Sequence, residues 1–255
     1  MKALSLDRIL QSQGIGSRKW CRELISTGEV VVNGELVTDY KRSFAVEGLK
    51  FSLFGEEWLY REHVYIALNK PGGYECSRKP SHHPGVLTLL PDEHAWRDVQ
   101  AVGRLDHDTT GLLLLSDDGA FIHAQSSPKR HVPKVYLATT AEPASEQLIS
   151  KMLTGVQLHD EPLPLAAVVC RKISDYQLEI VLEQGKYHQV KRMLAAAGNH
   201  CTALHRSAIG FLQLTELNLE EGEWRYLEQT DLEKLIPMET VVYELDPMSA
   251  KDAAC

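Results

Sequence analysis

No CxxC pair, no HExxH, no GxxxxGK phosphate loop and no Rossmann glycine fingerprint occurs in the 255 residues. Thiolate zinc sites, zinc-protease chemistry and the common modes of nucleotide binding therefore have no support. Five cysteines, Cys21, Cys76, Cys170, Cys201 and Cys255, are far apart and odd in number, which argues against a disulfide framework and for reduced thiols. Eleven histidines are present, but the adjacent pair His82-His83 lies in the loop-like stretch RKPSHHPG, so no metal and no cofactor is expected. Apolar runs of the roughly 20 residues that a membrane-spanning helix needs are absent. The opening MKALSLDRILQ is interrupted by Asp7, Arg8 and Gln11 where a secretory segment would be apolar. The expectation is a cytoplasmic protein with no membrane partner.

An excess of positive charge is also lacking. The net charge of −8 argues at first against a nucleic-acid partner, whose phosphates require Lys and Arg. Its distribution reverses that inference. Residues 215–255 hold eleven Asp/Glu against three Lys/Arg, which is the whole excess, and residues 1–214 are left neutral with 24 of each sign. That larger part has cations for local basic patches. With 44% hydrophobic and 24% charged residues, the chain suits one large or two unequal globular domains.

The first sixty residues read as two helices and a hairpin. In SRKWCRELISTG, Ser17 caps a helix, Trp20, Leu24 and Ile25 share a face, and Gly28 ends it. Arg18, Lys19 and Arg22 fall on the other face. VVVNGELV follows, two β-branched runs around Asn33-Gly34, the dipeptide that a type I′ turn favours. Lys41 and Arg42 come after it. Charges of this sort also mark an ordinary solvated helix face. The layout from about Leu6 to Phe54 resembles the S4 RNA-binding domain. That resemblance implies that Arg18, Lys19, Arg22, Lys41 and Arg42 meet structured RNA, where shape and phosphate contacts dominate. FGEEWLYREH, residues 54–63, reads as a polar linker.

Beyond it the chain alternates strand-like runs with fewer helices: VYIAL before the turn at NKPGG, then GLLLLS, KVYLATT and YQLEIVLE. This pattern predicts a mixed, mainly antiparallel α+β domain. The expected organisation is residues 1–60 as a small S4-like domain, 61–237 as a catalytic domain and 238–255 as an acidic tail. In YHQVKRMLAAAG, Val190, Met193, Leu194 and Ala197 recur at helical spacing and Gly198 stops the helix.

The most informative stretch is VGRLDHDTTGLLLLSDDG, residues 102–119. Its apolar run reads as a buried strand, so Arg104, Asp106, His107 and Asp108 emerge at a strand's edge where the fold holds them. Asp117 and Asp118, before Gly119, read as turn formers. A retaining glycosidase needs two carboxyl groups roughly 5 Å apart, one of them protonated. Asp106 and Asp108 qualify only if both face one cleft. An Asp between a Gly and a strand is also a common turn or capping residue. Position alone leaves Asp106 as one candidate among several.

GRLDHDTTGLLLLSDDG resembles the signature of the RsuA-type pseudouridine synthases, which carry an N-terminal S4 domain. SSPKRHVPKVYLATT and EQGKYHQVKRMLAAAGNHCTALHRSAIG are similar to two further segments of that family, and the likeness extends to about Leu235. It implies that Asp106 acts at the ribose, as nucleophile or as proton-abstracting base. It also implies that Tyr136 of the Lys-x-Tyr motif stacks on the base and removes its C5 proton. The basic residue beside the carboxylate maps to Lys191, Lys186 being the other lysine of that segment. A cation there would hold a buried Asp106 ionised, since burial alone raises a carboxyl pKa. Arg104 is expected either to hold the flipped nucleotide's phosphate or to pair with Asp108. Lys70 in the glycine turn and Arg206 in LHRSAIG are expected to contact RNA.

The implied reaction isomerises uridine to pseudouridine in ribosomal RNA. The N1–C1′ bond breaks, the base turns and its C5 joins C1′, with nothing oxidised or consumed. The base must leave its helix to be reached. LNKPGGYECSRKPSHHPGVLTLLP is more similar to the branch acting on the small ribosomal subunit than to those acting on the large one. A monomer working on ribosomal RNA or a pre-ribosomal particle is expected. Two other readings compete. A non-catalytic RNA-binding assembly factor is opposed by intact Asp106, Tyr136 and Lys191, and a glycoside or nucleoside hydrolase gives no reason for the S4-like unit.

Overall fold

The computed structural model describes residues 2–127 and 130–235. Strand β1 (Ala3–Ser5) leads into helices α1 (Leu6–Ser12) and α2 (Arg18–Ser26). Ser17 caps α2 as expected, its side chain accepting from the Trp20 N–H. Strands β2 (Val30–Val32) and β3 (Glu35–Leu36) form the hairpin, with Asn33 at φ 52° and Gly34 at φ 80°, the signs that a type I′ turn requires. Strand β4 (Ser43–Ala45) pairs with β1, while β5 (Lys50–Leu53) and β6 (Glu56–Leu59) extend the hairpin into a sheet of order β3-β2-β5-β6. Leu6, Ile9, Leu10, Leu24, Val30 and Phe51 belong to a core confined to this unit.

Two expectations are corrected here. Residues 56–59 are a strand of this sheet rather than linker. Phe54 and Gly55 turn at positive φ, and Trp58 stacks on Phe51 with ring centroids 6.0 Å apart. The strand lies at the sheet's edge, so Glu56, Glu57 and Leu59 face water and no alternation shows. Trp20 is exposed, and Cys21 joins Leu24 and Ile25 in the core instead. Its indole lies against Gly16, where a β-carbon would stand 2.9 Å from the Trp20 ring.

A nine-stranded sheet organises the rest. Its main path runs β11-β12-β10-β13-β9-β7-β15, with β14 on β13 and β8 on β9. These are β7 (Tyr65–Lys70), β8 (Gln100–Val102), β9 (Thr110–Ser116), β10 (Lys134–Thr140), β11 (Val169–Ser174), β12 (Gln177–Leu182), β13 (Cys201–Ile209), β14 (Leu212–Gln213) and β15 (Trp224–Tyr226). Every pairing is antiparallel except that of β9 with β13, so the mixed, mainly antiparallel α+β expectation holds. Helices α3 (Asp92–Trp96), α4 (Gly119–Ser126), α5 (Glu146–Thr154), α6 (Gln189–Ala197), α7 (Leu214–Leu217) and α8 (Gln229–Leu232) complete it.

The apolar run of β9 is explained by burial on both faces. Leu113 and Leu115 join the core that contains Met152 of α5 and Met193 of α6, whereas Leu112 and Leu114 join Leu212 and Leu217 on the other side. A strand covered twice has no polar alternation. Gly111 marks where β9 meets β13. It has φ 100°, and a β-carbon there would stand 2.3 Å from the Arg206 carbonyl oxygen, so only glycine permits this approach. Helix α6 buries Val190, Met193, Leu194 and Ala197 and ends at Gly198 in the left-handed region, as its spacing predicts.

Asp117 and Asp118 do more than turn the chain. Asp118 caps α4, and Asp117 accepts from the Val64 N–H and pairs with buried Arg97. Arg97 also donates to the carbonyls of Arg61 and Glu62, while Gln13 and Arg61 exchange two hydrogen bonds. These bonds anchor the S4-like unit to the larger sheet. Cys21, Cys76, Cys170 and Cys201 are free thiols, and Cys255 and the acidic tail lie outside the described residues. Among the described residues no helix is long and apolar enough to cross a membrane.

Candidate active site

Strand β8 ends at Val102 and β9 begins at Thr110, and the loop between them carries Arg104, Asp106, His107 and Asp108. The loop is fastened from below. The Thr109 N–H donates to the Asp106 carbonyl at 3.1 Å, and the Gly73 N–H donates to the His107 carbonyl at 2.7 Å. The Leu105 N–H points at the Cys76 sulfur, 3.4 Å away. Lys70 completes the anchorage. Its side chain is fully buried, and its ammonium donates to the carbonyls of Pro71, His107 and Thr109 at 2.9, 3.2 and 2.8 Å. The expected contact of Lys70 with RNA is therefore corrected. The side chain points under the loop, and burial lowers its pKa against the pull of Asp106 and Asp108.

Asp106 sits on this loop facing the start of α6. Its Oδ1 lies 3.2 Å from His188 Nε2 and its Oδ2 lies 3.4 Å from Lys191 Nζ. Lys191 also donates to Asp108 Oδ1 at 2.6 Å. Burial pushes the Lys191 ammonium down, but the hydrogen bond to Asp108 and the charges of both carboxylates outweigh it, and its pKa is raised. Lys186, the other lysine of the segment, turns away to Glu161 at 3.1 Å. The structure thus pairs Lys191 with Asp106, whereas the ammonium of Lys186, although that residue lines one cavity with Asp106, is taken by Glu161. Arg104 is exposed and has no ion-pair partner among the described residues, so the expected alternative of pairing with Asp108 is corrected: Lys191 takes that carboxylate.

Tyr136 lies on β10, paired to Ile180 of β12 and Arg206 of β13. It is 9% exposed and belongs to the main core. With Asp106, Thr109, His188, Gln189 and Leu204 it lines a cavity of about 70 Å³. That cavity shares Asp106, Arg104 and His188 with a wider cleft of about 570 Å³. Together with Tyr136, the residues Lys134, Glu183, Gln125 and Arg206 line a second cavity of about 90 Å³. Burial and the nearby Arg206 push the Lys134 pKa down to about 8. Arg206 is 4% exposed and donates through Nε to the Leu112 carbonyl at 2.8 Å. Its expected RNA contact is corrected too, because the central strand β13 holds it beneath the site. A larger groove of about 680 Å³ flanks β10 and β13 but includes none of Asp106, Tyr136 and Lys191.

The five basic residues of the N-terminal unit all reach its surface. Arg18 and Arg22 are partly exposed, each with Nε 2.8 Å from Asp7 Oδ2. Asp7 is itself buried. Burial raises its carboxyl, but hydrogen bonds from Ser5, Arg22 and Arg18 overcome this and hold it at about 2. Lys19 and Lys41 are exposed, and exposed Arg42 pairs with Glu35.

Residues 64–196 match the family of RNA pseudouridylate synthases, and residues 4–44 match the S4 domain. The chain belongs to the RNA pseudouridylate synthase family. This pseudouridylate synthase is similar to the ribosomal small subunit pseudouridine synthase A of Escherichia coli (strain K12), 37% identical over 235 residues, which are 91% of this chain and 100% of the relative. The enzyme of that name from Haemophilus influenzae is 37% identical over 236 residues, again 91% of this chain and 100% of the relative. A crystal structure of a pseudouridylate synthase matches with a TM-score of 0.64 at 36% identity, covering 91% of this chain and 100% of that one. The protein is thus an isomerase that makes pseudouridine in RNA.

Sequence reasoning missed His188, Lys134 and the part played by Asp108. His188 offered one signal, its position directly before the helix that carries Lys191. Lys134 shares the Lys-x-Tyr motif with Tyr136, but nothing in a lone lysine reveals that its ammonium will be buried.

Proposed function

We propose that this synthase isomerises one uridine of small-subunit ribosomal RNA, with Asp106 as the carboxylate that acts at the ribose. The observation that carries the reading is the convergence of Asp106, His188 and Tyr136 on one small cavity at the side of a wider cleft, with the Lys191 ammonium 3.4 Å from Asp106. Lys191 sets its ammonium 3.4 Å from the Asp106 carboxylate, the group that attacks C1′ or takes a ribose proton. Tyr136 stacks on the flipped uracil and takes the C5 proton after the base has turned. The atoms balance: N1–C1′ breaks, C5–C1′ forms, and the proton lost at C5 is matched by one gained at N1.

Arg104, exposed beside Asp106, holds a phosphate of the flipped nucleotide. Arg18, Lys19, Arg22, Lys41 and Arg42 engage phosphates of the folded RNA around the target. Residues 1–60 form the RNA-binding domain and 61–237 the catalytic domain, followed by the acidic stretch 238–255, in a monomer that works in the cytoplasm. The choice of the small subunit is supported by the names of relatives that align with nearly the whole chain.

The test is a map of pseudouridines in ribosomal RNA from a strain without this gene beside its parent, by carbodiimide modification and reverse-transcription stops. One small-subunit stop should vanish and return with the wild-type gene but not with Asp106→Asn. A lost large-subunit stop would move the substrate, and an unchanged map would remove ribosomal RNA as the target.

A further inference from the structure

The wider cleft beside Asp106 carries an aromatic surface that the isomerisation does not use. Tyr187 stands on its rim with 65% of its surface exposed. One face of its ring is occupied, since it stacks on His188 with centroids 3.8 Å apart and planes 19° from parallel. The other face is open to the cleft's mouth. His188 holds φ 47° and ψ 35°, a left-handed backbone that residues with a β-carbon seldom enter. Neighbouring bonds keep it there. The Arg192 N–H donates to the His188 carbonyl at 3.0 Å, and the Arg192 guanidinium donates to the Tyr187 carbonyl at 3.0 Å while pairing with Asp160. His188 Nε2 in turn lies 3.2 Å from Asp106 Oδ1. An exposed ring, an uncommon backbone and the reacting carboxylate are thus linked directly, one to the next.

A second stacked pair lines the same cleft. His83 and His107, both exposed, lie face to face with centroids 4.4 Å apart and planes 5° from parallel.

We propose that Tyr187 is a stacking platform for an unpaired RNA base next to the target uridine, and that His188 couples this platform to Asp106. The proposal rests on the preceding reading, in which RNA enters this cleft. Flipping the target leaves its neighbours without a stacking partner, and an exposed aromatic face replaces that partner whatever the base. Arg104, which lines the same cleft, is exposed and has no ion-pair partner among the described residues, which suits a polyanionic strand better than a protein segment or a second copy of this chain.

The experiment uses the full chain and RNA hairpins that contain the target uridine, with 2-aminopurine placed in turn at the nucleotides on its two sides. Stacking quenches this fluorophore. The wild type should quench it at one flanking position. Tyr187→Leu should lose that quench and raise KM about tenfold, with a smaller change in kcat, and Tyr187→Phe, which keeps the ring, should restore both. Because the ring is exposed, its replacement leaves the core intact. Unchanged KM and quench in Tyr187→Leu beside an active wild type would overturn the platform alone. A Tyr187→Leu change in oligomeric state without a change in KM would make a second copy the occupant and overturn it as well. A wild type that forms no pseudouridine in these RNAs would overturn the underlying reading and the platform with it.

Discussion

Lys191 approaches Asp108 more closely, at 2.6 Å, than it approaches Asp106, at 3.4 Å. One ammonium therefore serves two carboxylates, and the nearer is the one with no assigned chemistry. Burial raises the Asp108 pKa, but the hydrogen bond and charge of Lys191 outweigh it and leave it lowered. A glycosidase-like division of labour needs one of two carboxyls protonated, and Asp108 is held in the opposite state. Its short contact with Lys191 makes it a candidate to position that cation.

Asp106→Asn should reduce single-turnover pseudouridine formation by at least about 10³-fold while RNA binding persists, as expected for loss of a reacting group. Asp108→Asn should cost only about tenfold, because Lys191 keeps Asp106 as a partner. Equal losses in the two variants would make Asp108 a reacting group as well.

Lys70→Met tests the buried anchor. Three carbonyls lose the Lys70 donor, of which His107 keeps the Gly73 N–H, and unpaired buried acceptors cost about 1–3 kcal/mol each before local relaxation. Removing a buried charge offsets part of this, so a net loss of about 2–4 kcal/mol in urea unfolding is expected. Activity should fall further than stability, since two of the carbonyls released, those of His107 and Thr109, belong to the loop bearing Asp106. A variant as stable as the wild type would show that the turn needs no cation.

Lys134 carries a pH dependence whose sign is opposite to that of a stabilising salt bridge. Its pKa in the folded chain is depressed from 10.5 to about 8, so charging it opposes folding. That penalty is fully present below about pH 8 and disappears as the pH rises toward 10.5. Lys134→Met removes the penalty, at the expense of one hydrogen bond to the Val132 carbonyl. Thermal midpoints at pH 7 and pH 10 should therefore favour the variant by a few degrees more at pH 7. An equal difference at both pH values would show that Lys134 does not titrate in this window.

On the S4 unit, replacing Lys19 and Lys41 by Ala should weaken RNA binding with little dependence on sequence. The slope of log K against log salt should become shallower by about 0.7–0.9 for each phosphate that is no longer neutralised. Unchanged slopes would place the RNA elsewhere.

Local patterns made several elements legible. Asn33-Gly34 allowed only a tight hairpin, and Val190, Met193, Leu194 and Ala197 allowed only a helix with one buried face. The leucines of β9 announced a strand covered on both sides. Strand β6 was invisible because it is a short edge strand on which Trp58 alone packs inward while Glu56, Glu57 and Leu59 face water, which leaves no apolar alternation. Trp20 misled because its spacing to Leu24 placed it on the buried face, whereas the helix is rotated to bury Cys21.

By itself the sequence determined the family, the order of the two units and the loop on which Asp106 is displayed, because these rest on contiguous motifs and short-range backbone preferences. Only the tertiary structure decided what the cations do. Lys70, Arg206, Lys186 and Lys191 are all simply cations in the sequence, yet one lies under a loop, one is buried on the central strand β13, one pairs with Glu161 and one stands between Asp106 and Asp108. A long basic side chain takes its role from whichever carbonyls and carboxylates distant strands bring within reach. Those distances are set when β9, β13 and the start of α6 pack together.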